Sequence, residues 1–140
     1  PTTTSWVCGS DWVLVGTACF HVSSDRGDWS SGQGYCSELG GQLASIRSQE
    51  EQEVLAGLTD DNAWIGLHDM GSEGEHLWDD QTALSYSNWE PGQPDDAGQF
   101  LWWGGEDCVE MNVGYSYRWN DADCDEQNKY ICRKGAELQG

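Results

Sequence analysis

The chain has 140 residues, and its 25 aspartates and glutamates outweigh six lysines and arginines, giving a formal net charge of −19. This acidic balance excludes nucleic acid and disfavours anionic membrane surfaces as partners, because binding phosphate requires a basic surface. The length fits a single domain, and nine tryptophans with six cysteines can supply the core and cross-links that a disordered acidic chain lacks.

The N-terminal part predicts a flexible tail followed by a hairpin. Residues 1–5 have no apolar pattern and are expected to fray. Apolar residues at 12–15 and 18–22 flank Gly16-Thr17, which predicts two antiparallel strands joined by a tight turn. We expect Trp6 and Trp12 to cover this hairpin.

Two helices are predicted next. Asp28 can cap a helix over residues 29–39, and Gly40-Gly41 would end it. Ser48 and Glu51 have the spacing of a capping box and precede apolar residues at helical spacing. The glutamates of this second helix are expected to face water: Glu50, Glu51 and Glu53.

Short apolar segments separated by glycine, aspartate and asparagine predict brief antiparallel strands in the second half. They lie at 63–67, 77–78, 108–112, 118–119 and 130–132. The tryptophans in and around them are expected to be core residues: Trp64, Trp78, Trp89 and Trp119. Glu110 is expected to face solvent from its strand. The weakly periodic region between Asp69 and Asp107 is long for a connection, which indicates a functional loop.

The even number of cysteines points to an oxidising compartment. Six cysteines allow about 15 pairings, of which local spacing favours Cys8–Cys19. The sequence contains no Cys-x-x-Cys pair, so a zinc ribbon has little support. The chain begins at Pro1 and has no apolar run that could span a bilayer. We therefore expect no membrane insertion, and either a mature secreted protein or an excised ectodomain.

Oxygen-bearing side chains and tryptophans recur between residues 93 and 121. The segments are Gln93-Pro94-Asp95-Asp96, Glu106-Asp107-Cys108 and Trp119-Asn120-Asp121. Calcium takes about six to eight oxygen ligands, and a divalent cation would relieve the repulsion among these carboxylates. The pattern therefore indicates a calcium site whose amides could also contact a ligand.

These motifs, together with Trp64-Ile65-Gly66-Leu67 and the order of the cysteines, resemble the C-type lectin family over nearly the whole chain, from Cys8 to Cys132. The resemblance implies an α+β fold in which two helices flank small antiparallel sheets, with a long calcium-binding loop. It also implies the disulfides Cys8–Cys19, Cys36–Cys132 and Cys108–Cys124.

The resemblance further implies a sugar-binding calcium site, with a cis peptide at Pro94. Its ligands would be Gln93, Asp95, Glu106, Asn120 and Asp121. The same side chains would contact two neighbouring sugar hydroxyls, amides donating hydrogen bonds and carboxylates accepting them. A second calcium is implied at Asp69, Glu73, Asp96 and Asp107, against the alternative of a solvated acidic loop. His68 would modulate calcium release or simply be a surface histidine.

Gln-Pro-Asp resembles the galactose-type site, which selects galactose or N-acetylgalactosamine, and the 97–105 loop resembles that of the asialoglycoprotein receptor. Ala97 departs from that receptor, which has a tryptophan there. Trp102, Trp103 or Phe100 would have to stack on the sugar instead; the alternative for Trp102 and Trp103 is loop packing or a dimer contact.

The predicted function is therefore calcium-dependent binding of glycans ending in galactose or N-acetylgalactosamine, without catalysis, in innate recognition or agglutination. Alternatives are an acidic protein of the same fold that binds mineral, ice or another protein, binding of mannose-type sugars by the same site, and a glycosidase with paired carboxylates. The predicted domain spans 6–134, with tails at 1–5 and 135–140. Any homo-oligomer would be non-covalent, because every cysteine is used internally.

Overall fold

The computed structural model describes residues 5–68, 77–80, 82, 85–89 and 108–139. The helices in this part of the chain are α1 (Trp29–Glu38) and α2 (Gln49–Leu58). The strands are β1 (Ser5–Val7), β2 (Val13–Val15), β3 (Ala18–Val22), β4 (Gln42–Leu43), β5 (Ala63–His68), β6 (Leu77–Trp78), β7 (Cys108–Asn112), β8 (Arg118–Ala122), β9 (Lys129–Gly135) and β10 (Glu137–Gln139). A short 3-10 helix, Val113–Tyr115, joins β7 to β8.

Among the described residues, one larger sheet runs in the order β2-β3-β9-β5-β7-β8, with β4 paired to β9 and β6 paired to β5. Most pairs are antiparallel, as predicted, but β5 and β9 are parallel. The antiparallel expectation was therefore wrong for this pair, because strand direction depends on the path between distant segments. Gly66 of β5 permits close contact with β4, since a Cβ there would lie 2.5 Å from the Leu43 carbonyl oxygen.

Both predicted helices form, with the predicted N-caps. The Asp28 carboxylate accepts from the Ser31 amide, and Ser48 Oγ accepts from the Glu51 amide. The Glu51 side chain does not face water as expected, however. It is buried, with Oε1 accepting from the Arg47 amide and from the Arg133 guanidinium, each at 2.8 Å. A charge buried in this way is stabilised by its partner and its hydrogen bond.

The core lies on both faces of the sheet. Several of its buried tryptophans also donate hydrogen bonds from their indole N–H groups. Trp64, Trp78 and Trp119 are at most 1% exposed, as expected. Trp89 is half-buried and packs against the cluster that contains Trp78 and Trp119. Trp29 Nε1 donates to the Ile65 carbonyl at 2.9 Å, which fastens α1 to β5. Buried indole N–H groups need such acceptors, so these contacts fix the position of the helix.

The six cysteines form Cys8–Cys19, Cys36–Cys132 and Cys108–Cys124, which confirms the predicted pairings. The hairpin is also present as β2–β3. The two ends of the chain pair as an antiparallel ribbon, with Trp6 opposite Leu138. Ser5 and residues 137–139, placed in tails by the sequence analysis, thus belong to strands β1 and β10. Their short, unpatterned sequences carried no sign of this distant partner, and the domain limits stay a prediction.

Asp80 lies just after β6, where it connects three segments. Its carboxylate accepts from Ser45 Oγ at 2.9 Å, from the Arg47 guanidinium at 2.7 Å and from the Thr82 amide at 3.0 Å. Burial alone would raise the pKa of this carboxyl, but the hydrogen bonds from Thr82, Ser45 and Arg47 outweigh it and lower the pKa to about 2. The ionised form is therefore the one that the fold holds.

Replacing this carboxylate should destabilise the protein in a pH-dependent way. For Asp80→Asn we expect a loss of about 1–2 kcal/mol in the free energy of unfolding at neutral pH, measured by urea denaturation. Because the folded pKa lies below the ordinary 3.8, the wild-type advantage is complete above that value and disappears as the pH falls toward 2.

Asp25→Asn, at an exposed carboxylate, is the matched control and should change stability by less than about 0.5 kcal/mol. A loss for Asp80→Asn that is equal at neutral pH and near pH 2 would contradict the account.

Candidate functional site

Of the predicted sugar-site residues, the structure describes Asn120 and the backbone of Asp121, both in β8. The other predicted site residues lie outside the described residues: Gln93, Asp95, Glu106, Trp102, Trp103, Asp69, Glu73, Asp96 and Asp107. Pro94, Ala97 and Phe100 lie there too. Within the part that is described, no group of three or more His, Cys, Asp or Glu side chains is arranged to hold a metal ion.

Strands β5, β7 and β8 come together at one end of the sheet. Each contains a described residue that is next in sequence to a candidate ligand. Cys108 of β7 pairs with His68 of β5 on one side and with Ala122 of β8 on the other. In sequence, His68 immediately precedes Asp69, Cys108 immediately follows Asp107, and Ala122 immediately follows Asp121. Consecutive Cα atoms are about 3.8 Å apart, so this edge is where the candidate ligand segments join the sheet.

Trp119 fixes one face of β8. Its indole is fully buried and has edge-on contacts with Trp78, Tyr86 and Trp89, whose ring centroids lie 5.4–5.9 Å away. Its Nε1 donates to Gln52 Oε1 at 2.9 Å. The Trp119 backbone N–H donates to the Asn88 carbonyl at 2.8 Å. Residues 85–89, the described segment before Gln93, are thereby attached to β8.

Asn120 points to the opposite face, because successive strand side chains alternate. It lies directly across from Glu110 of β7. Glu110 is only 2% exposed, so the expectation that it faces solvent was wrong. Its partners decide this: Asn120 and Asn112 donate to Oε2 at 3.0 and 2.7 Å, and Asn128 donates to Oε1 at 3.0 Å. The sequence shows no sign of this cluster, since its asparagines come from separate segments.

Two further ionisable groups lie near this edge. Partial burial and the neighbouring charge of Glu110 raise the pKa of Glu126. His68 is half-buried rather than at the surface, and its ring packs edge-on against Trp29 at 5.1 Å. Burial lowers the pKa of His68, with Asp79 acting in the opposite direction. The imidazole is therefore held in its neutral form at neutral pH.

A separate cleft of about 350 Å³ is lined by cationic side chains that already have partners. Arg47 pairs with Asp80, and Arg133 pairs with Glu51. The Lys134 ammonium lies 4.4 Å from the centroid of the Trp12 ring. These three cations are therefore engaged by groups within the protein.

Comparison with known proteins decides the family. The family model described as the lectin C-type domain matches residues 25–134. The chain belongs to this C-type lectin family. The match includes α1, α2, the larger part of the sheet and the candidate ligand segments. Among the residues that the structure describes, no helix is both long and apolar enough to cross a membrane.

The relatives include both receptor and non-receptor proteins. The chain is 40% identical over 135 residues to the mouse low affinity immunoglobulin epsilon Fc receptor, covering 95% of the chain and 39% of that receptor. The cow carbohydrate-recognition domain of CD23, solved in the presence of a GlcNAc2Man3 oligosaccharide, is 37% identical with a TM-score of 0.85, covering 95% of this chain and 99% of that one. A calcium-independent type II antifreeze protein is 30% identical with a TM-score of 0.87, covering 95% and 98%.

These likenesses confirm the predicted C-type lectin fold. This lectin domain spans about two fifths of the length of the mouse receptor. The family is one of carbohydrate-recognition domains, and the relatives found are binding domains rather than enzymes. Calcium dependence varies among them, since the antifreeze relative is described as calcium-independent.

The Gln52 amide is predicted to stabilise the face of β8 opposite the site. It accepts from the Trp119 indole and donates to the Tyr117 carbonyl, each at 2.9 Å. Gln52→Ala should therefore lower the free energy of unfolding by about 2–4 kcal/mol, because a buried indole N–H and a backbone carbonyl lose their partners. Denaturant unfolding measures the change.

Gln127→Ala removes an exposed amide of the same kind and should alter stability by less than about 0.5 kcal/mol. Equal stabilities for the two variants would show that the Trp119 contact contributes nothing beyond packing.

Proposed function

We propose that this C-type lectin domain binds glycans in a calcium-dependent way, preferring terminal galactose or N-acetylgalactosamine, and that it has no catalytic activity. The observation that carries the proposal is the meeting of β5, β7 and β8 at one sheet edge, where each strand adjoins candidate oxygen ligands. Asn120, two residues before Ala122 in β8, belongs to the Trp119-Asn120-Asp121 motif.

The donor set of the proposed site suits calcium. Gln93, Asp95, Glu106, Asn120 and Asp121 offer carboxylate and amide oxygens, the ligands of a hard cation. When bound, calcium would supply coordination positions for a pair of neighbouring sugar hydroxyls. The protein side chains orient those hydroxyls, with amide N–H groups donating to them and carboxylates accepting from them.

The described part of the site fits this arrangement. Asn120 is half-buried, and its amide nitrogen donates a hydrogen bond to Glu110. An amide so placed presents its oxygen and its second N–H to other partners, as a combined cation and sugar contact requires. We propose a second calcium site at Asp69, Glu73, Asp96 and Asp107, which would hold the long loop by relieving repulsion among its carboxylates.

The arrangement of acid and amide supports the sugar preference. In Gln93-Pro94-Asp95 the amide precedes the carboxylate, and exchanging them would reverse which hydroxyl meets a donor and which meets an acceptor. We further propose that Trp102 or Trp103 covers the apolar face of galactose, because an indole can pack against its C–H groups. The disulfides favour an extracellular location, where a glycan-binding domain could serve innate recognition or agglutination.

A single shallow site binds sugar weakly, since a millimolar dissociation constant corresponds to only about −4 kcal/mol. Useful avidity would require several sites in a non-covalent assembly, because every cysteine is already paired within the chain.

A second candidate function is binding of ice or mineral by the same fold. The similarity to a calcium-independent antifreeze protein favours it, as does the net charge of −19. A neutral sugar and a mineral surface are distinguished by competition, since a mineral or ice contact would persist in excess free galactose.

The calcium requirement predicts reversible retention on immobilised galactose. The protein should bind the resin in calcium, elute with EDTA, and bind again when calcium is restored. Free galactose should elute it and mannose should not, because the order of amide and acid in Gln93-Pro94-Asp95 is that of the galactose-type site. Elution by mannose alone would favour the mannose-type alternative, which is suggested by the cow relative solved in the presence of a GlcNAc2Man3 oligosaccharide. Retention unaffected by EDTA would contradict calcium dependence.

Exchanging the acid and the amide should reverse the preference. Gln93→Glu combined with Asp95→Asn conserves charge and should lower the galactose-to-mannose affinity ratio about tenfold, equivalent to about 1.4 kcal/mol, as measured by competition binding. The matched control is Gln127→Glu with Asp125→Asn, the same exchange at exposed positions with the same spacing. An unchanged ratio in the first variant, or an equal change in both, would disprove the hydroxyl argument.

A further inference from the structure

Glu110 is a carboxylate buried in the middle of the sheet. It lies in β7 between Trp64 of β5 and Asn120 of β8, its partners in the strand register, and is 2% exposed. Removing a charge from water is costly unless hydrogen bonds compensate it. In the described part of the chain, the side-chain amides of Asn112, Asn120 and Asn128 supply hydrogen bonds that compensate the charge. The Glu126 carboxyl also faces Glu110, and burial together with the charge and hydrogen bond of Glu110 raises the pKa of Glu126.

An ionised carboxylate only accepts hydrogen bonds, so each amide that faces Glu110 must present its N–H group and not its oxygen. The orientation of Asn112 is fixed independently, since its Oδ1 accepts from the Gly114 amide at 2.8 Å. For Asn120, Glu110 Oε2 is the contact that decides the orientation, at 3.0 Å. A flipped Asn120 amide would place an oxygen against the carboxylate, which is repulsive.

We infer that Glu110 is a positioning residue for the glycan site, whose buried carboxylate fixes the Asn120 amide in its binding orientation. This inference rests on the proposed function. With one N–H given to Glu110, the Asn120 amide directs Oδ1 and its second N–H away from the carboxylate. Oδ1 is the atom that would ligate calcium, and the second N–H is the donor that would meet a sugar hydroxyl.

A merely structural role for Glu110 makes a different prediction, because Asn128 belongs to the same cluster. Asn128 donates to Oε1, whereas Asn120 donates to Oε2. Asn128→Ala therefore removes a buried hydrogen bond from the cluster and leaves the contact between Glu110 and Asn120 in place. It lowers stability without releasing the Asn120 amide, which makes it the control for a loss of stability alone.

The test compares Glu110→Met, Glu110→Gln and Asn128→Ala with the wild-type protein. Methionine has a similar length and cannot hold the amide, whereas glutamine keeps a weaker, uncharged acceptor. We expect calcium affinity, measured by titration calorimetry, to fall about tenfold in Glu110→Met, the lower end of the range for groups that orient a metal ligand. Glu110→Gln should be intermediate, and Asn128→Ala should bind calcium like the wild type despite a lower melting temperature.

A second measurement needs no calcium. In the EDTA-treated wild type, the side-chain amide protons of Asn120 should give separated NMR signals, one shifted downfield by its bond to Glu110. That shift should persist in Asn128→Ala and disappear in Glu110→Met. If Glu110→Met does not fold, Glu110→Gln should still bind calcium more weakly than Asn128→Ala.

The outcomes separate this inference from the proposed function. Calcium affinity that is unchanged in the Glu110 variants, or that falls equally in Asn128→Ala, would overturn the positioning role while leaving calcium-dependent binding intact. A wild-type protein that binds no calcium would end the proposed function, and with it the role of Glu110 in the glycan site. The NMR measurement would then still report whether Glu110 holds the Asn120 amide.

Discussion

The packing of Trp119 against the core is the interaction on which the β7–β8 edge depends. Its indole is enclosed by Trp78, Tyr86 and Trp89 and bonded to Gln52 of α2. Since strand side chains alternate, fixing Trp119 on one face sends Asn120 to the other, opposite Glu110. A one-residue slip of β8 would exchange these faces, so burial of one aromatic ring specifies the register of the candidate site.

The distribution of charge explains how so acidic a chain folds around a polar site. Of its few cations, Arg47 and Arg133 are paired with Asp80 and Glu51, near the start of α2 and the end of β6. Glu110 is buried against amides. The acidic excess at the surface disfavours an anionic partner by repulsion. A neutral sugar held through a cation avoids that repulsion, which is why the charge balance and the proposed function agree.

Local signals predicted the elements whose determinants are close in sequence. The N-caps at Asp28 and Ser48, the β2–β3 hairpin and strands β5 to β9 were identified from neighbouring residues, whereas β1, β4 and β10 were not. The predictions of side-chain exposure were wrong where a partner from another segment determines burial. Glu51 meets Arg133 and Glu110 meets Asn128, each in another segment of the chain, and the residues beside either glutamate carry no sign of such partners. Most of the predicted ligands lie outside the described residues and stay predictions.

The sequence alone determined the disulfide frame, once the cysteine order was read with the family resemblance, and the family to which the chain belongs. It also determined the residue types of the proposed site, because ligand chemistry depends on side-chain identity. Only the tertiary structure decided that β5 and β9 run parallel and that β1 pairs with β10. It also decided that the Glu110 carboxylate is buried against three amides. The strand pairings arise from contacts between segments far apart in the chain, and the Glu110 cluster depends on how β7, β8 and the residue before β9 come together. No local pattern of residues encodes either feature.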